Sequence, residues 1–201
     1  MNLKENRALA FVVLAVVIVI TLCVQAPLSL LGSRSSAAKL FAEGDCHEMM
    51  LRCAEQGALL GQMSDVYLSD AAVDGYASAQ TASVLRSGDY TALPAVLQTL
   101  AADLKAAGDP NAYLAVLADL TSAVEKAYTG LEMLNISEDN FRNIKLSYYD
   151  YKGALDILAR EGDAKSSYTD AAARFNKLLG AFPASLYAGI LNIDPLTVYG
   201  G

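Results

Sequence analysis

Histidine occurs once in this chain, at position 47, cysteine three times and tryptophan not at all. A single histidine restricts any Ser-His-Asp triad to His47, and no nucleophile elbow of the Gly-x-Ser-x-Gly type accompanies it. A phosphate-cradling loop, a dinucleotide-binding glycine fingerprint and a His-Glu-x-x-His helix are missing as well. No enzyme, cofactor or metal is therefore expected, and no residue is assigned a catalytic role. Cys46, His47 and Cys53 form the one cluster that bears a thiol or metal hypothesis. Common zinc signatures pair closely spaced ligands in sets of about four, which this spacing does not supply. On one helix Cys46 and Cys53 stand about 10 Å apart along the axis, beyond the Cα separation of about 7 Å that a disulfide bridges. A disulfide thus requires Cys46 to precede the helix. Structural cysteines, a local disulfide, and a metal or redox site remain as three readings, in that order.

Basic residues are scarce too. Setting aside Lys4, Arg7 and Glu5 from the 15 basic and 22 acidic side chains leaves 13 and 21, a net of −8 over the rest of the chain. Nucleic acid is excluded as a partner, because neutralising phosphates takes clustered Lys and Arg. The same sign disfavours adhesion to an anionic bilayer surface by charge alone. Acidity of this kind speaks first to a solvated surface, and Asp70 and Asp74, which share one helix face, are read that way. Runs of β-branched residues are few outside the N-terminal segment, and each of the five prolines stands near a helix boundary. That argues against a sheet. The alanines favour helix, and an all-α protein is expected.

What the sequence does have is an apolar run. Ala8 to Val24 carries no charge and one polar side chain, Thr21, and the uncharged run continues to Ser33. A secretory apolar region is about 7 to 15 residues long, whereas a bilayer takes about 20, so the segment reads as a retained anchor. Pro27 follows the nearest small-residue cleavage pattern, Val24-Gln25-Ala26, and spoils it. Cys23 lacks the preceding small residue of a lipidated N-terminus and reads as an apolar residue of the membrane helix. Lys4 and Arg7 nearly balance Arg34 and Lys39; the orientation adopted has the N-terminus inside and the domain extracytoplasmic. Residues 1–32 are the anchor, with the bilayer as partner through residues 8–31, and residues 33–201 are a soluble bundle.

Ser33 to Gly44 reads as a small-residue connection, helical or linker. Three helical stretches then follow, Asp45 to Leu85, Thr91 to Leu134 and Glu138 to Ala181, each roughly 60 to 65 Å long at about 1.5 Å per residue. Met49, Cys53, Leu60, Met63 and Tyr67 make the first stripe, with Gln56 its polar exception. Gly57, Gly61 and Gly75 read as sites of close helix approach. Leu93, Leu97, Leu100 and Leu104 begin the second stripe. After an N-cap at Asp109 and a first-turn Pro110, it resumes as Tyr113, Leu117, Leu120, Val124, Ala127, Leu131 and Leu134 in heptads. Asn135-Ile136-Ser137 matches a glycosylation acceptor but reads better as a turn into a helix that opens with Glu138 and Asp139. The third stripe, Phe141, Ile144, Tyr148, Tyr151, Leu155 and Leu158, slips frame at Arg160 to Asp163 and returns as Tyr168, Ala172, Phe175, Leu179 and Phe182. Tyr148, Tyr149 and Tyr151 read as core-edge tyrosines with wet hydroxyls, the alternative being a binding surface.

From Phe175-Asn176 onward, through Phe182-Pro183, Leu186-Tyr187-Ala188-Gly189 and Pro195 to Tyr199, the chain resembles the ending of the LemA family over about 26 residues. There an aromatic-Asn pair closes a long helix, Phe-Pro breaks it, and a small apolar segment precedes a closing aromatic. The basic, Asn-Leu-containing stretch usual on that family's first soluble helix is replaced here by Arg52 to Gly57, which marks a divergent member. The resemblance implies a bacterial, membrane-attached helical bundle that assists other membrane proteins, without catalytic residues to carry over. Phe175, Asn176, Phe182, Pro183, Ala188 and Tyr199 are its structural signature, with Phe182 as a helix-terminal core residue and Pro183 as breaker and restart.

The sequence thus points to a membrane-anchored scaffold or partner-binding bundle of the bacterial envelope, with an envelope protein or a second copy as partner. The alternative is a thiol- or metal-dependent protein centred on Cys46, His47 and Cys53. Short turns between equal stretches predict antiparallel neighbours. On that count Asn135 to Ser137 should face the bilayer, and Phe182 to Tyr199 should cap the far end beside Ser87 to Asp89.

Overall fold

The computed structural model of the protein describes residues 7–161 and 168–198, and all regular structure among them is helical. α1 (Arg7–Ile20) passes through a π-helical turn (Thr21–Gln25) into α2 (Ala26–Glu43), so the apolar run and the connection after it form one rod. The rod contains one stretch, Ala10–Glu43, long and apolar enough to cross a membrane. It crosses residues 32 and 33 without a break, and Leu30 and Ala37 on its inner face are fully buried.

Gly44 ends α2, and α3 (Asp45–Leu68) leads away from the rod. The stretch expected to run on to Leu85 instead breaks after Leu68. Ser69 turns extended, and two short helices follow, α4 (Val73–Tyr76) and α5 (Ala79–Ser87), the second capped by the Ser78 hydroxyl accepting from the Thr81 N–H. Asp70 and Asp74 are not merely solvated: the Arg86 guanidinium forks onto both oxygens of Asp74 at 3.0 and 2.8 Å and reaches the Asp70 carboxylate at 3.5 Å. This ties α5 back across the turn.

A 3-10 turn (Tyr90–Ala92) starts α6 (Leu93–Ala106), which packs along α3. Ala107 goes extended, Asp109 caps the next helix by accepting from the Asn111 and Ala112 N–H groups, and α7 (Pro110–Glu132) begins. This break is a complete reversal. Gly61 of α3 meets Pro94 and Leu97 of α6, whereas Gly57 meets Leu120 of α7 and Leu68 lies beside Gly130, so α6 returns toward the rod and α7 leaves it again. The second stretch is therefore a hairpin, and that changes which end everything after it occupies.

α8 (Glu138–Glu161) then comes back along α3, and α9 (Tyr168–Leu179) continues along α2. The Asn135 N–H donates to the Tyr76 carbonyl at 2.8 Å, which puts the Asn135 turn at the end distal to the rod. α10 (Ala184–Leu191) packs on α2 and α9, so the C-terminal segment lies at the proximal end. Both expectations about the ends are thus corrected. The cause is the extra reversal at Ala107 to Asp109.

The helical stripes themselves hold except at Phe182, the last position of the third, which is exposed. All seven positions of the heptad series from Tyr113 to Leu134 are buried, as are Leu93, Leu97 and Leu104. Gln56, the polar exception on α3, accepts a 2.7 Å hydrogen bond from the buried Ser147 of α8, so this polar pair is satisfied inside the bundle. Gly57 and Gly61 lie at close helix contacts, while Gly75 faces open space. The frame change at residues 162–163 lies outside the described residues.

Candidate functional site

Cys46, His47 and Cys53 all fall on α3, where it leaves the rod. Cys53 is fully buried, and that burial pushes its thiol up to about 12, against a small opposing pull from Arg52. A thiol held protonated is neither nucleophile nor ready metal ligand. Cys46 is buried about two helical turns earlier, and no disulfide joins the two. His47 packs edge-on against Tyr113 at 5.3 Å and beside Phe41 at 6.1 Å, and its Nδ1 has no hydrogen-bond partner. Phe41 in turn contacts Tyr113 and Tyr168, each at 5.1 Å between ring centroids. These rings seal the joint where α2, α3, α7 and α9 meet. Among the described residues no three His, Cys, Asp or Glu side chains gather as metal ligands.

The three tyrosines of α8 divide by role. Tyr151 is buried and shares a 2.8 Å hydrogen bond with the Thr121 hydroxyl of α7. Tyr148 stacks on Tyr128 at 4.0 Å and donates to Glu125 at 2.7 Å; desolvation and then that acceptor push its phenol up to about 12. Lys152 also reaches Glu125, at 2.6 Å, and with Tyr148 it holds the carboxyl below the usual glutamate range. Tyr149 is exposed. With Leu146, Gly153 and Ile157 it occupies one outward face of α8, because those positions recur every three or four residues. A cleft of about 420 Å³ opens between α7, α8 and the tail, walled by Leu114, Leu117, Leu155 and Val198, and among the described residues no titratable side chain lines it. It offers shape and hydroxyls, without a group to move a proton.

The signature residues build a clamp. Phe175 is fully buried against the α2 side, and next to it Asn176 reads both backbone groups of Leu196: its amide donates to the Leu196 carbonyl at 2.7 Å, and its oxygen accepts from the Leu196 N–H at 2.8 Å. Asn111, at the start of α7, does the same across two residues, donating to Pro195 O at 2.9 Å and accepting from the Thr197 N–H at 2.6 Å. The Tyr168 hydroxyl closes the set on the Thr197 carbonyl at 2.8 Å, and burial pushes that phenol's pKa up. Two side-chain amides thus recognise an extended segment as a neighbouring strand would. Leu196 and Ile193 are buried beneath it.

Phe182 departs from its expected role: it stands in the turn beyond α9 and is 74% exposed. Pro183 follows Phe182 through a cis peptide bond, and at the N-cap of α10 it does restart a helix. The Ala188 carbonyl accepts from the Ile193 N–H and helps end α10. Tyr199 lies outside the described residues. Asn111 was not singled out from the sequence; it sits two residues past a capping Asp and looks like ordinary helix start. Comparisons with protein-family models, with curated proteins and with solved structures find no match for this chain.

Proposed function

We propose that this protein is a single-pass membrane scaffold of the bacterial envelope, whose bundle is held off the bilayer by the N-terminal rod and docks a membrane or envelope protein, or a second copy, without catalysing a reaction. The observation that carries the reading is the continuity of the rod: one helix, apolar and lipid-compatible at its start, becomes a packed member of the bundle at Leu30, Ala37 and Phe41. A flexible tether would merely localise a domain, whereas a rod packed against α9 fixes its orientation. The uncharged span bracketed by Arg7 and Arg34 suits one crossing. Family-level placement among LemA-like proteins rests on the resemblance of Phe175 to Tyr199, and the extracytoplasmic side on the orientation adopted from the near balance of Lys4 and Arg7 against Arg34 and Lys39. Partner docking is supported by the exposed Leu146, Tyr149 and Ile157 stripe of α8.

Two measurements test the two halves. Expressed full-length, the chain should stay with membranes through carbonate washing and leave them only in detergent; uncleaved protein in the aqueous fraction refutes the anchor. A photo-cross-linking side chain at Tyr149 should give one discrete adduct in native membranes, where the same group at the exposed Thr99 of α6 gives none. Equal patterns from the two sites would remove α8 as the docking face.

A further inference from the structure

We propose that the turn and helix from Phe182 to Leu191 are a second membrane contact, an apolar wedge that enters the leaflet through which the anchor emerges and lies beside the anchor in the acyl chains. The proposal rests on the membrane reading above. Its first ground is composition at the surface. Phe182, Leu186 and Ile190 are 74%, 56% and 75% exposed, with Leu191 beside them, while Ala184 on the other side is buried. No Asp, Glu, Lys or Arg occurs between Lys177 and Asp194. The exposed stripe of α8 differs in kind, because Lys145, Asp150, Lys152 and Asp156 interrupt it, as a water-facing helix requires.

Depth is the second ground. α9 runs antiparallel to α2 with Tyr168 against Phe41. Equal rise along the two helices then brings Lys177 about level with Gly32 and close to Arg34. Past that level α10 packs against α2, and Tyr187 lies near enough to Cys23 to interact with it. A hydrocarbon core takes about 20 helical residues, so a span starting after Arg7 extends to about Pro27. Cys23 is inside it. The same bilayer that surrounds the anchor therefore surrounds α10, with Lys177 and Arg34 at headgroup level.

The backbone supplies a third ground. Hydrocarbon tolerates a turn only where N–H groups are satisfied within the protein. Here the Gly180, Ala181, Ser185, Leu186 and Ile193 N–H groups donate to Asn176, Leu178, Ala181, Pro183 and Ala188 carbonyls. Both ends of the excursion are fixed, one by α9 and the other by the Asn176 and Asn111 amides on residues 195–197. The wedge is held at its depth rather than left to find it. Lacking basic residues of its own, it enters by apolar area instead of by attraction to anionic lipid.

The absence of tryptophan makes the test direct. Single variants Phe11→Trp, Tyr149→Trp, Ile190→Trp and Leu186→Trp of the full chain are placed in phosphatidylcholine nanodiscs with or without bromine at mid-chain, after circular dichroism has matched each to the parent. Bromolipid should quench Phe11→Trp, Leu186→Trp and Ile190→Trp severalfold and leave Tyr149→Trp unchanged. If Phe11→Trp is quenched while both α10 probes behave like Tyr149→Trp, the anchor stands and the wedge is refuted. Probes on α10 shielded from aqueous iodide yet unquenched by bromolipid would mean that protein covers the face, which also overturns the proposal. An unquenched Phe11→Trp removes the anchor itself, a pattern distinct from both.

Discussion

Asn176 holds Leu196 by two hydrogen bonds, 2.7 and 2.8 Å long, so a side chain twenty residues away serves as the backbone partner of the tail. Leu196 has no strand or helix of its own to satisfy these groups. Replacing Asn176 with Ala leaves an N–H and a carbonyl without partners in a partly buried place, a loss of about 1 to 3 kcal/mol. Denaturant unfolding should report it, and the Leu196 amide should exchange with solvent at the rate of a frayed end. Asn176→Asp, which keeps the acceptor and loses the donor, should fall between. Unchanged protection of Leu196 in the Ala variant would show that the clamp is idle.

Glycines separate packing from propensity in this bundle. A Cβ on Gly61 would stand 3.1 Å from the Pro94 carbonyl oxygen and 3.2 Å from the Leu97 Cβ, whereas one on Gly153 meets nothing within 4 Å. Both residues sit inside helices, where Ala is intrinsically better by up to about 1 kcal/mol. Gly153→Ala should therefore raise stability by about 0.5 to 1 kcal/mol. Gly61→Ala should lower it by about 1 kcal/mol or more, since backbone must move to relieve overpacking. Thermal unfolding of the pair decides; equal shifts of one sign would mean that α3 and α6 approach less closely than described.

Glu125 sets a pH signature. Hydrogen bonds from Lys152 first and Tyr148 second depress its pKa in the folded chain. A depressed carboxylate contributes stability that is complete above the unfolded value, about 4.3, and is lost as pH falls through the native one. The side chain is 43% exposed, and such screening limits the effect to under about 1 kcal/mol. Glu125→Gln should thus be less stable than the parent at neutral pH and converge on it in acid. A gap that persists or widens below the carboxylate range would assign it to packing instead.

Much of this bundle was legible because its signals are local. The heptad series from Tyr113 to Leu134 predicts a buried face that the fold contains position by position, and Asp109-Pro110 announces a helix start that Asp109 caps. Direction is another matter. Gly108-Asp109-Pro110 reads the same whether the next helix continues or doubles back, since capping satisfies the first turn in either case. One missed reversal exchanged the two ends of the molecule. Asn111 was illegible for a different reason: its partners lie 84 and 86 residues away, and no local pattern encodes them. Phe182 was misplaced because apolar periodicity marks a face to be removed from water, without saying whether protein or lipid removes it.

The ends of the bundle give the sharpest check on the topology. Asn135 bonds to Tyr76 at the distal end, Tyr90 lies against Gly130 there, and α10 lies on α2 at the proximal end. Ser87 and Ser137 therefore share one end, and Ser185 occupies the other. From Ser137 the chain descends along α8 and then α9, which span 24 and 12 residues. At about 1.5 Å per residue that places Ser185 on the order of 50 Å or more from Ser137, and similarly far from Ser87. Orthogonal spin labels at these positions should give a short Ser87 to Ser137 distance and two long ones. A short Ser87 to Ser185 distance would return the tail to the far end, undo the hairpin at Ala107 to Asp109, and lift the apolar turn clear of the membrane.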